Sequence, residues 1–145
     1  MHLEQILPTT VLSSTDVTGF NNLLSQLSDH APMLTGEQII EITGHSTILL
    51  TFNDDGVIVG TATLAILHKP MGLEGHLEDL VVDESFRKRG IGTALIEQII
   101  KLARAQRLPS LHFTSRPSRE AANLLYEKMG FVKRETNVWC MHFDT

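Results

Sequence analysis

The chain is organised around His76-Leu77-Glu78-Asp79-Leu80-Val81-Val82-Asp83 and the run that follows, Glu84-Ser85-Phe86-Arg87-Lys88-Arg89-Gly90-Ile91-Gly92-Thr93-Ala94-Leu95. The first part has the aliphatic composition of a strand. The second is a short basic turn that opens through two glycines onto an amphipathic helix. Gly90 and Gly92 carry no Cβ, so the backbone can turn sharply and let an incoming group approach its amides. Those amides fall in the first turn of the helix, where they lack intrahelical partners and sit at the positive end of the helix dipole, a setting that suits an anion. Arg87, Lys88 and Arg89 add positive charge beside them. Strand, basic turn and glycine-opened helix together propose a phosphate cradle.

Three phosphate-binding patterns are open to such a turn. A Walker A loop needs G-x-x-x-x-G-K-[ST], and the sequence has none. A dinucleotide fingerprint needs G-x-G-x-x-G with an acidic residue about 20 positions on. Here Gly90 and Gly92 begin it, Leu95 breaks it, and the next strand candidate, Ser110 to Ser115, carries no carboxylate. That argues against a nucleotide-dependent oxidoreductase. The third pattern, R/Q-x-x-G-x-G/A directly after a strand, is met by Arg87, Gly90 and Gly92.

With Asn123-Leu124-Leu125-Tyr126-Glu127-Lys128-Met129-Gly130-Phe131 downstream, the chain resembles the GNAT superfamily of acetyl-CoA-dependent N-acetyltransferases. The likeness runs from Leu73 to Phe143 by motif and over the first 45 residues by element order. It implies that the turn (Arg87, Lys88, Arg89, Gly90, Ile91, Gly92, Thr93) holds the pyrophosphate of acetyl-CoA through its amides. It further implies that Leu80, Val81 and Val82 pair with the pantetheine arm, and that acetyl-CoA is a cosubstrate.

At 145 residues, 42% hydrophobic and 20% charged, the chain has the size and composition of one cored domain, expected to span residues 1–145. No apolar run approaches the ~18 residues of a membrane span, so no membrane association is expected. Met1 to Val11 has neither a basic leader nor a continuous apolar core and does not read as a signal peptide. The single cysteine, Cys140, forbids an internal disulfide and agrees with a cytoplasmic protein. Lying in Trp139-Cys140-Met141-His142-Phe143, it is expected to pack within a strand.

A net charge of −5 argues against nucleic acid as a partner. Up to Phe86 one basic residue, Lys69, faces twelve carboxylates; from Arg87 onward eleven Lys or Arg face five, giving formal charges of −11 and +6. On the resemblance, the basic part suits a polyanionic coenzyme and the acidic part draws a cationic amine.

Element by element, Leu3 to Leu7 reads as a strand ended by Pro8. Asp16 offers a cap to a helix with Phe20, Leu23, Leu24 and Leu27 at helical spacing. Thr35 and Gln38 form a capping box for a short second helix. Ser46 to Phe52 and Val57 to Leu67 are strands around the Asn53 to Gly56 turn, and Leu73 to Val82 completes an antiparallel meander. Ile91, Leu95, Ile99 and Leu102 mark the longest helix, ending near Arg107, and Leu111 to Thr114 returns as a strand parallel to Leu77 to Val82. Ser118 is expected to cap a helix over Arg119 to Met129, and Phe131 to Arg134 with Val138 to Phe143 to close the sheet as a hairpin. The order describes an α/β fold of the mixed-sheet kind. It is mostly antiparallel, with one splayed parallel pair and helices on both sides.

Acetyl transfer to an amine needs a neutral nitrogen, a stabilised oxyanion and a proton for the departing thiolate. His76 and Glu78 lie two apart on a strand, hence on one face, and lead directly into the cradle. Each is a candidate base, or else a structural histidine and a surface carboxylate; a metal reading of His76-x-Glu78-Asp79 has no partner ligands at fitting spacing, so no metal is expected. The same strand is similar to that of the glucosamine-6-phosphate acetyltransferase branch, which implies that Glu78 and Asp79 hold the acceptor. Asn123 and Tyr126 share one helical face. The resemblance makes Asn123 a pantetheine ligand and Tyr126 the general acid, against an alternative in which Tyr126 only anchors its helix. The oxyanion is assigned to a strand amide around Leu80 to Val82, freed by a bulge or splay. Arg116 and Arg119 reach the coenzyme 3′-phosphate or are solvated. Trp139 and His142 pack at a homodimer interface or beside the acceptor.

The sequence therefore points to an N-acetyltransferase that moves an acetyl group from acetyl-CoA to a primary amine of a small molecule or peptide within a ternary complex. The alternative is a non-catalytic acyl-CoA-binding module that regulates or recruits a partner.

Overall fold

The structure is a computed structural model and describes residues 1–144. Its elements run β1 (His2–Ile6), α1 (Ser14–Leu27), α2 (Gly36–Ile42), β2 (Ser46–Phe52), β3 (Ile58–Lys69), β4 (Gly72–Val82), a 3-10 turn (Glu84–Phe86), α3 (Ile91–Ala105), β5 (Leu111–His112) and α4 (Glu120–Lys128). The chain divides into two units, one from Met1 to Phe113 and one from Thr114 onward.

In the first unit a single sheet has the order β1-β2-β3-β4-β5. The pairs β1–β2, β2–β3 and β3–β4 are antiparallel, as the meander requires, and β4–β5 is parallel. The parallel pairing is brief. Gly75 faces Leu111 and His76 faces His112, after which the two strands part, leaving β4 from Leu77 to Val82 without a strand on that side among the described residues. This is the expected splay, and it lies on the strand that enters the cradle.

Side-chain alternation sorts the core onto two faces. Ile48 and Leu50 of β2 and Val81 of β4 pack with Phe20, Leu23 and Leu24 of α1 and Ile39 of α2. The intervening Leu49 turns to the opposite face. There the Cα–Cβ direction of Gly60 points at Ile91 and Leu95 of α3. Both α1 and α2 start on capping boxes, each satisfying two otherwise orphaned donors. The Thr35–Gln38 box is the one expected. In α1 the N-cap is Ser13, and Asp16 is the N3 residue that returns the bond, so the helix begins earlier than Asp16 alone suggested.

In the second unit α4 begins after Arg119, and Ser118 does not cap it. Its C-terminus is fixed more firmly. Gly130 takes φ 97°, its N–H bonds the Glu127 carbonyl at 3.1 Å, and the Phe131 N–H reaches the Tyr126 carbonyl at 3.0 Å. That is a Schellman closure, and the accompanying apolar contact is an edge-to-face pairing of Tyr126 with Phe131, centroids 6.5 Å apart. The Tyr-x-x-x-Gly-Phe spacing thus places Tyr126, the buried residue of α4, in a locked last turn. The expected closing hairpin does not form. From Phe131 to Asp144 the chain is neither helix nor strand, and Cys140, expected to be packed, is exposed. A period-two apolar pattern makes a strand only where an edge accepts it, and none is engaged here.

Candidate functional site

The cradle forms where β4 runs into α3. Asp83 and the Glu84–Phe86 turn carry the chain into a loop in which Lys88 (φ 62°) and Gly90 (φ 81°) are both left-handed. Gly90 is the N-cap of α3 and offers no side-chain cap, and the first helical bond runs from Ala94 N–H to the Gly90 carbonyl, 3.0 Å. The amides of Ile91, Gly92 and Thr93 therefore precede the helical ladder. The Ile91 side chain is buried against Gly60, so only its backbone is on offer. Arg87 donates through Nε to the Val82 carbonyl at 3.1 Å, and the Arg89 guanidinium stacks over Phe86 at 4.8 Å. Two of the three basic side chains thus brace the turn.

A bulge lies just upstream. Thr63 faces Glu78 and Thr61 faces Val81, so Asp79 and Leu80 together oppose Ala62. Asp79 absorbs the extra residue in a left-handed conformation, φ 50°. The bulge is centred on Asp79 and Leu80, slightly before the Leu80 to Val82 interval. Thr61, Thr63 and Asp79 line a cavity of about 400 Å³ with Phe20, Leu24 and His30. A wider groove of about 930 Å³ between the starts of α1 and α2 takes no residue from β4. Glu78, the cross-strand partner of Thr63, is exposed beside the smaller cavity.

His76 faces a different environment. Its Nε2 lies 3.4 Å from Glu74 Oε1 without hydrogen-bond geometry, and its ring stacks on His112 with centroids 5.5 Å apart. His112 Nε2 is also 3.4 Å from that oxygen and 2.8 Å from Ser110 Oγ. Lys69 pairs with the other carboxylate oxygen. The Lys69 ammonium, hydrogen-bonded to Glu74, holds that carboxyl below the usual carboxylate range against some desolvation. Of the two candidate bases, His76 is bound into a charged cluster at the β4–β5 junction, whereas Glu78 stands beside the cavity.

Asn123 donates through Nδ2 to the Arg116 carbonyl at 3.1 Å, closing the turn before α4, and Arg116 and Arg119 are exposed. Sequence reasoning missed Gln26 and Asp83. Gln26 Nε2 donates to Asp83 Oδ2 and Gln26 Oε1 accepts from Glu84 N–H, each at 3.0 Å. Asp83 Oδ1 in turn accepts from Ser85 N–H at 2.9 Å. The Gln26 bond first, then the Ser85 amide and the Arg87 charge, keep the Asp83 carboxyl below its usual range. Among the described residues no group of three His, Cys, Asp or Glu is arranged for a metal ion, and no helix is long and apolar enough to cross a membrane.

A splayed mixed sheet, a bulged strand and a helix opened by bare amides define an acetyltransferase of the GNAT class. The chain belongs to the Acetyltransferase (GNAT) family, which it matches over residues 20–131. It is 34% identical over 134 residues to the glucosamine 6-phosphate N-acetyltransferase of Trypanosoma brucei brucei, a match spanning 86% of this chain and 88% of that one. A probable glucosamine 6-phosphate N-acetyltransferase 2 of Oryza sativa subsp. japonica is 30% identical over 129 residues, spanning 80% and 75%. The crystal structure of a Trypanosoma brucei acetyltransferase superposes with a TM-score of 0.74 at 31% identity, covering 99% of this chain and 100% of that chain.

Proposed function

We propose that residues 1–145 form one catalytic domain that transfers an acetyl group from acetyl-CoA to the amine of an amino sugar phosphate, glucosamine 6-phosphate being the first acceptor to test. The observation that carries this reading is the Asp79 bulge, which brings the Asp79 carboxylate to the wall of a cavity in the small-molecule size range, with the exposed Glu78 one residue before it. The names of the relatives direct the acceptor class. The amides of Ile91, Gly92 and Thr93 fit a pyrophosphate, and acetyl-CoA supplies an activated thioester. Asp79 attracts the ammonium, and Glu78 removes its proton, directly or through water. As the C–N bond forms, strand amides at the bulge receive the oxyanion; as the C–S bond breaks, Tyr126 protonates the thiolate.

Release of free CoA should rise when glucosamine 6-phosphate is added and rise less with glucosamine or a peptide amine. Exposed Cys140 would itself react with a thiol reagent, so product is best followed by mass or in a Cys140→Ser background. If no acceptor lifts the rate above hydrolysis, the chain is a coenzyme-binding module. Glu78→Gln should cut kcat/KM by roughly 10²-fold or more and move the acidic limb of its pH profile. His76→Gln should leave that limb in place. An exchange of these two outcomes would transfer the base to His76.

We infer also that two copies associate through the closing segment. Val132, Val138, Trp139, Met141 and Phe143 are all exposed, and β5 ends the sheet with an unpaired outer edge among the described residues. Pairing this segment onto β5 of a second copy would satisfy both needs twice over in one two-fold arrangement. The four aromatic side chains of such a pair, Trp139 and Phe143 from each copy, would by themselves bury about 600–1,000 Å² at about 150–250 Å² each. Trp139, the only tryptophan, is 86% exposed in the single chain and reports directly. Its emission should shift to the blue with rising concentration as a dimer appears in sedimentation, and Met141→Lys should abolish both. A monomer with concentration-independent blue emission would mean that the segment folds back on its own sheet.

A further inference from the structure

Gln26 lies at the end of α1, whose residues Phe20, Leu24 and Leu27 line the acceptor-side cavity, yet its own amide faces away from that cavity toward the cradle. Both ends of the amide are used. Nε2 donates to Asp83 Oδ2 and Oε1 accepts from Glu84 N–H, each at 3.0 Å, across sequence separations of 57 and 58 residues. The two bonded residues are the last before, and the first within, the 3-10 turn that enters the cradle. Asp83 passes the constraint on by accepting from Ser85 N–H, while its own N–H is held by the Val59 carbonyl at 2.8 Å. Phe86, at the end of that turn, carries the Arg89 guanidinium immediately before Gly90.

We propose that Gln26 is a positioning residue for the coenzyme cradle: its side-chain amide fixes the Asp83–Glu84 corner from α1, and so aligns the amides that open α3. The inference rests on the coenzyme reading above and assigns the acceptor-side helix a part in coenzyme binding. A primary amide meets the geometry without a proton to gain or lose, because one atom must donate to a carboxylate while its neighbour accepts from an amide. A carboxylate at the same place accepts from Glu84 N–H but repels Asp83. Once protonated, it donates like the native amide.

That difference supplies the test. The titratable or charged groups around the position are Asp83 and Glu84 from the facing corner, Arg87, whose charge acts on Asp83, and Asp29 and His30 just beyond α1. Coenzyme affinity is measured by calorimetry without acceptor, at several pH values, on the full chain. Gln26→Ala should weaken coenzyme binding roughly three- to tenfold, the worth of two modest hydrogen bonds. Gln26→Glu should be weakened at neutral pH and recover as pH falls and its carboxyl is protonated, an affinity-versus-pH trend that the parent lacks. A lost packing contact would produce no such rescue. If the parent binds no coenzyme, the coenzyme reading itself falls. If the parent binds and both variants bind equally well with its pH profile, Gln26 is a surface tie and the inference is overturned.

Discussion

Gly92→Asp should leave the protein folded and remove its affinity for coenzyme. The two halves of this expectation come from different physics. A Cβ built at Gly92 meets only Val82 Cγ2, at 3.7 Å, an ordinary contact, and the residue lies in the first turn of α3. A carboxylate in the first turn is favoured by the helix dipole, so thermal stability should be unchanged or slightly raised. The same charge stands where the proposed function places the pyrophosphate. Like charges about 4 Å apart at a protein surface repel by about 4 kcal/mol, which corresponds to roughly 10²- to 10³-fold in affinity. Gly90 is the poorer probe, because its φ of 81° strains any side chain and mixes folding with binding. Calorimetry beside a melting curve decides the matter. Parental affinity in a folded Gly92→Asp protein would remove the turn from the coenzyme site.

What the sequence revealed and what it hid divide by the range of the interaction. Thr35 and Gln38 announce their helix because a capping box is written within four residues, and Gly130 with Phe131 announces the end of α4 for the same reason. The cradle is likewise local, since strand, basic turn and helix start follow one another along the chain. Asp16 misled only in detail: an acidic residue near a helix start serves as N-cap or as N3, and Ser13 decides between them.

Features that depend on cross-strand register were beyond local reading. The bulge exists because Thr61 and Thr63 are one residue closer in pairing than Val81 and Glu78, and nothing in Glu78-Asp79-Leu80 marks it beyond the tolerance of Asp for a left-handed backbone. The Glu74–His76–His112 cluster needs the parallel register of β4 and β5, which sets His76 beside the Glu74 carboxylate and a second histidine. Gln26 meets Asp83 across 57 residues. The closing hairpin shows the converse: Val138 to Phe143 alternates like a strand, yet without a sheet edge to pair with it forms none.

Tyr126→Phe should lower kcat by roughly 10²-fold, the usual worth of a general acid, while changing the coenzyme KM much less. The substitution removes one oxygen and keeps the ring. The edge-to-face contact with Phe131 at 6.5 Å and the backbone bond from Phe131 N–H to the Tyr126 carbonyl at 3.0 Å do not involve that oxygen, so the last turn of α4 should keep its closure. What is lost, on the proposed reading, is a proton donor at the moment the C–S bond breaks. A thiolate is a better leaving group than an alkoxide, which limits the loss to the general-acid contribution and leaves attack and oxyanion stabilisation in place. The chemical step is isolated by single-turnover measurement at saturating coenzyme and acceptor. A single-turnover rate equal to the parent's would return Tyr126 to the role of aromatic anchor and pass the thiolate's proton to solvent.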